Sequence, residues 1–407
     1  MVRNLHSSGT HEHEAVTLSV NEPTSSAVTG SHDDRETRRF WCNRDALHLF
    51  SGYHYRRGIG RILAVFLVGR LYLFLRLRFV FRYFGDERRA PYRSRRAQFR
   101  ATRQVISSGA NNGDAYMFVI LGAIGKVGRM TIKKLRAQGA PVRAVVRKSS
   151  NVDDLNALGC EIAVADLSDA AAIKSAIWGA EAVQVICPVQ AQAEDAAGEM
   201  AKTIDVIAGA LTEVRPARVL AISDYGAHLS EGTGVTMAFY YLEAQFRGLP
   251  SAVTFLRSAE HMQNWGRVMK VATETGVLPS LHHPVSKRFP TVSALDVGSV
   301  AAELLTDGTT AAEPRIVHVE GPRRYDAIEA AATLSKIIGR EIVARELPQS
   351  DWIPTLTRAG AGPSYAKLVF ELYVAHNAGR IDVEPGATDV RFGTTELRDV
   401  FVGLLGR

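Results

Sequence analysis

The sequence has little cysteine, and this shortage narrows the kinds of protein that it can be. The 407 residues include three cysteines, Cys42, Cys160 and Cys187. Three are too few for a disulfide framework, and their spacing matches no zinc knuckle. We therefore expect a reducing, cytoplasmic location. The apolar content of 46% and charged content of 22% exclude wholesale disorder.

Lysine is absent from the first 116 residues, although the chain as a whole carries a formal charge of +7. Residues 1–116 hold 19 arginines and ten acidic residues, which gives +9. Residues 117–407 hold 20 arginines, ten lysines and 32 acidic residues, which gives −2. The basic charge belongs to the first segment alone, so it does not favour a nucleic-acid partner for the remaining chain.

The first segment also lacks an uninterrupted apolar run. Its most apolar stretch, residues 62–84, contains four arginines: Arg70, Arg76, Arg78 and Arg82. Each arginine near the centre of a bilayer costs about 2.5–3.5 kcal/mol on insertion scales, so a simple membrane span is not expected. The stretch also begins too late in the chain for a secretory signal peptide.

Two interpretations of residues 1–116 stay open. One is a basic arm that contacts a membrane surface through residues 60–100 or binds nucleic acid, using further arginines. These are Arg93, Arg95, Arg96, Arg100 and Arg103. The other, which we favour, is a mostly disordered extension that carries little function and precedes a natural start at Met117. Peptides from residues 1–100 in the native protein, found by mass spectrometry, would contradict the second interpretation.

A nucleotide-binding unit is predicted to begin at Met117. An apolar strand, Met117–Leu121, leads into the turn GAIGKVG, a helical pattern that ends at Gly139, and a second strand, Val142–Val146. Glycines allow a tight turn there, and the helix N-terminus offers free N–H groups to a pyrophosphate. The residues expected to hold the cofactor phosphates are Gly122, Ile124, Gly125, Lys126, Val127 and Gly128.

The end of the second strand favours NADP over NAD. An acidic residue at this position would bind the ribose hydroxyls of NAD. The sequence has Arg147 and Lys148 instead, which offer positive charge to a 2′-phosphate. The alternative is that both are solvated surface residues at a strand end.

Five successive strand–helix units predict an α/β fold with a doubly wound parallel Rossmann sheet. We expect a core over residues 117–257, with later contributions from about 290–320, and a smaller C-terminal α/β substrate lobe over 258–407. Residues after the strands should face one crevice. These are Asp166, Leu167, Cys187, Pro188 and Ser223, expected at the cofactor, and Tyr225. Cys187 has no evident base or metal partner and is interpreted as a buried small residue.

The chain from 117 to 405 resembles the NmrA-like family of atypical short-chain dehydrogenases/reductases. The resemblance is carried by GAIGKVG, AVVRK, VADLSD, AISDYGA, LEAQFRGLPSAVTFLRSAEHMQNW, SALDVGSVAAELL, VEGPRRYDAIEAAATLSKIIGREI and FGTTELRDVF. It implies that Gly122, Gly125 and Gly128 bind the cofactor. It also implies that Arg147 binds the 2′-phosphate and that Asp166 and Leu167 lie on the adenine side. The family's usual proline is Ser258 in this sequence, which puts the local backbone course in doubt.

The sequence also lacks a Tyr-x-x-x-Lys motif, which supplies a proton in the wider superfamily. Tyr240 is followed four residues later by Ala244, and Tyr241 by Gln245. Many family members carry a lysine shortly before the glutamate that matches Glu243, but residues 237–242 contain none. Carbonyl–alcohol interconversion by a tyrosine mechanism is therefore not expected.

Two functions remain open. One is hydride transfer from NADPH to a small acceptor, such as a quinone, that needs no strong general acid. The other is a non-catalytic redox sensor that acts through a partner protein. The first is favoured because Tyr225, His261 and Asn264 are candidates to line a substrate. Tyr225 could equally be a packing residue, and His261 a surface residue. The oligomeric state, a homodimer or a complex with another protein, stays open.

No metal site is expected in the C-terminal lobe. His282 and His283 are adjacent but have no third ligand at metal spacing, which favours a flexible loop over residues 278–284. A helix over residues 327–338 and a strand over 341–345 are predicted to close the lobe over the crevice. Trp352 and Tyr365 are available as pocket walls.

Overall fold

Short apolar strands build the centre of the molecule, because residues of this kind pack well when both faces of a sheet are covered. The computed structural model describes residues 116–150, 152–308 and 313–406. The predictions for the basic extension concern residues that lie outside these ranges, apart from Tyr116.

Eight strands form one sheet in the order β12-β10-β6-β5-β4-β1-β2-β3, and each neighbouring pair is parallel. The predicted doubly wound Rossmann sheet is therefore confirmed. Its strands are β1 (Met117–Leu121), β2 (Val142–Val146), β3 (Glu161–Val164), β4 (Ala180–Val185), β5 (Arg218–Asp224), β6 (Ala252–Ser258), β10 (Arg315–Glu320) and β12 (Val390–Phe392). The strand order reverses between β1 and β4, which makes the edge beside these two strands the expected place for a ligand.

Helices cover both faces of this sheet. One face packs against α1 (Lys126–Ala137), α2 (Asp153–Ala157) and α7 (Ala294–Thr306). The other packs against α3 (Ala170–Ile177), α4 (Ala196–Val214) and α5 (Thr236–Phe246). Both faces of the sheet are thereby removed from water.

Residues 290–320 add a helix and a strand to the core, although they follow the first six strands in the chain. Helix α7 approaches α1 so closely that a Cβ on Gly298 would lie 2.5 Å from the Val127 carbonyl oxygen. The hydroxyl of Thr131 donates to the Gly298 carbonyl at 3.2 Å. Strand β10 pairs with β6 through Arg315–Val319. The boundary between the core over residues 117–257 and the lobe over residues 258–407 stays a prediction.

The remaining elements form smaller clusters beyond the C-terminal ends of β5 and β6. They comprise β7 (Glu260–His261), a 3-10 turn (Met262–Trp265), α6 (Gly266–Thr275), β8 (Val277–Ser280), β9 (Thr291–Val292), α8 (Ala327–Ile338), β11 (Val343–Glu346), a second 3-10 turn (Gln349–Asp351), α9 (Trp352–Arg358), α10 (Pro363–Asn377) and α11 (Leu397–Leu404). β8 pairs with β11, and β7 with β9. The predicted strand over 341–345 begins two residues later than expected.

Within the described ranges, no helix is both long and apolar enough to cross a membrane.

Candidate functional site

The turn after β1 is built so that backbone atoms can approach a ligand. Gly122 has a φ of +79°, a conformation that favours glycine, and its carbonyl accepts a hydrogen bond from the Gly125 N–H at 3.1 Å. A Cβ on Gly128 would lie 2.4 Å from the Gly122 oxygen, so this position also requires glycine. The first turn of α1 contains no acidic residue. Its N–H groups and positive dipole end are therefore available to an anion.

The side chains at this turn divide into exposed and buried ones. Ile124, Gly125 and Lys126 are exposed, and Val127, in the first turn of α1, is buried. Arg147 and Lys148 follow β2 directly and are both exposed. The structure therefore leaves these two cations accessible beside the glycine turn.

The remaining predicted cofactor residues lie along the same edge of the sheet. Asp166 is exposed after β3, and its carboxylate accepts two hydrogen bonds from Ser168, which lower the pKa of Asp166. Leu167 is half-buried, and Pro188 after β4 is exposed. With a strand spacing of about 4.8 Å, the edge from β3 to β5 is about 19 Å wide, enough for an extended dinucleotide.

Cys187 is buried, and its environment agrees with the expected packing role. Burial raises the pKa of its thiol to about 12, so the reactive thiolate is disfavoured. Its Sγ lies 4.0 Å from the carbonyl oxygen of Met200 on α4.

Ser223, at the end of β5, is engaged with a buried ion pair. Its hydroxyl donates to Glu243 Oε1 at 2.6 Å. Arg257 on β6 donates to both oxygens of Glu243, at 2.8 and 2.7 Å, and to Glu384 at 2.6 Å. Arg257 is 1% exposed. A buried charge of this kind is tolerated because it is paired and hydrogen-bonded on several sides.

The tyrosines of this region do not resemble a proton donor at the crevice. Tyr225 is 1% exposed and packs edge-on against His318, with ring centroids 5.5 Å apart. Burial raises the pKa of its hydroxyl well above the ordinary value. On α5, Tyr241 donates to Asp205 of α4 at 2.7 Å, and Tyr240 is 39% exposed. A role for Tyr225 in lining a substrate stays a prediction.

A cavity lies beyond the C-terminal end of β6. Its lining combines several apolar residues with a few polar groups, as is usual for small-molecule sites. The lining residues include Glu260, Asn264, Trp265, Arg267, Val268, Leu281, His282, Leu356 and Tyr373. Asn264, predicted to line a substrate, is thus at this cavity. His261 is half-buried on β7, with its Nε2 3.5 Å from the hydroxyl of Ser258, and its predicted role is untested.

Glu260 is the centre of a polar cluster at this cavity. Its Oε2 lies 2.9 Å from Nε2 of His282. Its Oε1 accepts from the hydroxyl of Tyr373 at 2.8 Å and from the amide of Asn264 at 3.3 Å. His376 on α10 completes the cluster, since ligand atoms of Glu260, His282 and His376 all lie within 4.8 Å of one another.

The protonation states in this cluster follow from burial and from its internal partners. Burial raises the pKa of Glu260, but the charge and hydrogen bond of His282 outweigh it and hold the pKa at about 2. Burial lowers the pKa of His376 to about 4, so its ring is neutral at pH 7. Burial likewise lowers the pKa of His261 to about 4.

The expectation of a flexible loop at residues 278–284 is wrong. Residues 278–284 include strand β8, and His282 is 4% exposed and stacks on Phe289 with centroids 3.5 Å apart, so the segment is packed rather than a free loop. His282 also has further potential ligands nearby. They were missed because Glu260 and His376 lie 22 and 94 residues away along the chain.

A family model described as NAD(P)H-binding matches residues 122–249. NAD(P)H azoreductase of Xenophilus azovorans is 27% identical over 282 residues, which cover 67% of this chain and 93% of the relative. Quinone oxidoreductase 2 of Escherichia coli is 21% identical over 267 residues, covering 65% of this chain and 89% of the relative. The match to the family model spans the β1 turn, the β2 end and the Ser223 region. The predicted NAD(P) cofactor is therefore confirmed.

Solved structures show the same fold. The NADPH complex of the E. coli quinone oxidoreductase has a TM-score of 0.60 at 20% identity, with 71% of this chain and all of that chain covered. A doubly substituted NmrA has a TM-score of 0.54 at 16% identity, with 72% and 92% covered. These likenesses show the fold that the chain shares with both proteins, and they agree with the predicted resemblance to the NmrA-like family.

Proposed function

We propose that this protein is an NADPH-dependent reductase that passes hydride directly to a quinone or a similar small electrophile, without a Tyr–Lys pair. The observation that carries this proposal is that one edge of the sheet bears both halves of such a site. The glycine turn and two exposed cations lie after β1 and β2, and a largely apolar cavity with few polar groups lies after β6.

The cofactor half is assigned to the turn and its neighbours. The N–H groups at the start of α1 would hold the pyrophosphate, and Gly122 and Gly128 let the backbone come close to it. Arg147 and Lys148 would hold the 2′-phosphate of NADPH. The named NADPH complex of a relative with the same fold supports this preference.

The acceptor half is assigned to the cavity. Trp265, Val268 and Leu356 offer apolar surface to a planar ring, and the Asn264 amide can donate a hydrogen bond to a carbonyl oxygen. The relatives named for reduction of quinones and azo compounds support an acceptor of this class.

The expected chemistry does not need a strong acid. The nicotinamide supplies a hydride, and a quinone that accepts it gains aromaticity, so its oxygens can take protons from water. The protein's part is then to bind both partners in contact and to exclude water from the hydride path. The placement of Tyr240 and Tyr241 supports this, because Tyr240 is exposed on α5 and Tyr241 is bound to Asp205.

The test is NADPH oxidation by the full chain against a panel of quinones and azo compounds. We expect at least one acceptor to accelerate oxidation, with NADPH preferred to NADH. Tyr240→Phe and Tyr241→Phe should keep the rate within about twofold, because Tyr240 is exposed and the Tyr241 hydroxyl is already bound to Asp205. A loss of a hundredfold or more in either variant would contradict the mechanism.

The same assay separates the reductase from the redox sensor. Buried Tyr225 and the missing Tyr–Lys pair are compatible with a protein that binds NADPH and does not turn it over. If NADPH binds with micromolar affinity or better and no acceptor accelerates its oxidation, the sensor interpretation replaces the proposal.

A further inference from the structure

The polar cluster beyond β6 contains groups that the hydride-transfer proposal does not use. Glu260, His282 and His376 come from β7, from the segment after β8 and from α10. The three are separated by up to 116 residues along the chain, yet their ligand atoms lie within 4.8 Å of one another. Such a convergence of two imidazoles and a carboxylate is a ligand set that binds zinc in proteins.

We propose that Glu260, His282 and His376 form a binding site for a divalent transition-metal ion of the zinc class. A tetrahedral ion with bonds of about 2.1 Å holds its ligand atoms about 3.4 Å apart. Glu260 Oε2 and His282 Nε2 are already 2.9 Å apart. Small side-chain adjustments therefore suffice to bring the three atoms to bonding distance.

The surroundings of the cluster fit a metal site. Tyr373 and Asn264 both donate to Oε1 of Glu260, which fixes the carboxylate and leaves Oε2 directed at His282. Outer partners of this kind orient the ligands in known metal sites. The ring of His376 offers one nitrogen to the cluster, within 4.8 Å of the ligand atoms of Glu260 and His282.

The ligands are also held by packing, which limits how far they can move apart. His282 is stacked on Phe289, and the ring of His376 lies edge-on to that of His282 at 5.3 Å. Lys287 donates to the His376 and Asn377 carbonyls at 2.8 Å and thereby fixes the end of α10. The cavity is lined by Glu260 and His282, which provides a path by which an ion can enter.

The test uses the full chain, stripped with a chelator and then titrated with Zn²⁺ alone. We expect one ion per chain with submicromolar affinity, and a thermal unfolding temperature that rises by several degrees because the ion binds only the folded state. Co²⁺ in the same site should give the strong visible absorption of a tetrahedral rather than an octahedral complex.

Three variants make the test specific. Glu260→Gln keeps an acceptor for Tyr373 and Asn264 but removes the anionic ligand, and His376→Phe keeps an aromatic ring in the packed cluster. Each should weaken Zn²⁺ binding at least tenfold. The matched control is His283→Ala, because the His283 ring packs on Trp352, 5.2 Å away, and is outside the ligand set.

The sequence contains other histidines, His6, His11 and His13, that could bind zinc adventitiously. Equal Zn²⁺ binding by the wild-type chain, Glu260→Gln and His376→Phe would therefore overturn the proposal, as would absence of a stoichiometric site in the wild-type chain. If His376→Phe fails to fold, Glu260→Gln alone decides. None of these readouts depends on reductase activity, so the two proposals fail separately.

Discussion

The two ends of the crevice are built from different materials. Around β1 the site consists of backbone: Gly122 and Gly128 contribute no side chain, and the groups presented are N–H donors at a helix end. Around β5 and β6 the site consists of side chains. Arg257 is hydrogen-bonded to Glu243 and Glu384, and Glu260 is hydrogen-bonded to His282. A side chain added at Gly122 or Gly128 would disrupt the first region. Removal of one partner of a charged pair would disrupt the second.

The largest expected effect is a loss of stability caused by a substitution in the side-chain region around β5 and β6. Arg257→Met leaves Glu243 buried without its main partner, and should lower the free energy of unfolding by about 3–5 kcal/mol. Urea unfolding measures this change. Lys202→Met is the control, because the Lys202–Glu199 pair is exposed and screened by solvent, so its loss should leave the unfolding midpoint nearly unchanged.

A double substitution makes this prediction more specific. Arg257→Met combined with Glu243→Leu removes both charges and should recover much of the lost stability. If the double variant is less stable than Arg257→Met alone, the loss comes from packing and not from an unpaired carboxylate.

The next effect is on the backbone region. Gly128→Ala forces a Cβ to within 2.4 Å of the Gly122 oxygen, so the turn must move, and NADPH affinity should fall at least a hundredfold in a fluorescence titration. Gly209→Ala is the matched control, because that exposed helical glycine has open space around it. Unchanged NADPH affinity in Gly128→Ala would show that the turn does not hold the cofactor.

A smaller effect is expected at the cations beside the turn. Arg147→Ala should weaken NADPH binding by about tenfold, which corresponds to about 1.4 kcal/mol, and leave NADH binding nearly unchanged. The two cofactors are titrated into the same variant, so NADH is the internal control. An equal loss for both would mean that Arg147 does not contact the 2′-phosphate.

The smallest expected effect is a change of the free energy of unfolding with pH, and it comes from a residue at the end of β5. Burial raises the pKa of Asp224 to about 7, although Thr236 donates to it at 2.7 Å. Between about pH 4 and pH 7 the folded state therefore holds a proton that the unfolded state has lost, so the free energy of unfolding falls as pH rises through this range and levels off above it.

Asp224→Asn removes this contribution while keeping an acceptor for Thr236. Relative to the variant, the wild-type chain should lose about 1 kcal/mol of stability between pH 6.5 and pH 8 in a metal-free buffer. A difference that stays constant across this range would show that Asp224 is ionised throughout.

The backbone region could be predicted from the sequence because its determinants are contiguous. A strand, a glycine turn and a helix follow one another within about thirty residues, and the periodicity that defines them is local. Val142–Val146 and Ala327–Ile338 have the bounds that the pattern predicts. The pairing of β10 with β6 and β12 required the folded chain, because contacts between distant strands leave no local signal.

The side-chain region could not be predicted in the same way. Arg257 and Glu243 are 14 residues apart and Glu260 and His376 are 116 apart, spacings that match no helix or strand period. One signal was present: an arginine within the apolar strand AVTFLRS requires a buried acidic partner. The sequence nevertheless does not say which acidic residue that partner is.

The close contact between α7 and α1 bears on how the chain acquires its structure during synthesis. Helix α1, which follows the glycine turn, is covered by Gly298 and its neighbours, which are made about 170 residues after that turn. A nascent chain that has emerged only to β6 still exposes the α1 face that α7 will bury. Helix α1 and its glycine turn, the proposed cofactor half of the site, therefore cannot be fully packed in N-terminal-first order, and this packing is completed only when the later part of the chain has left the ribosome.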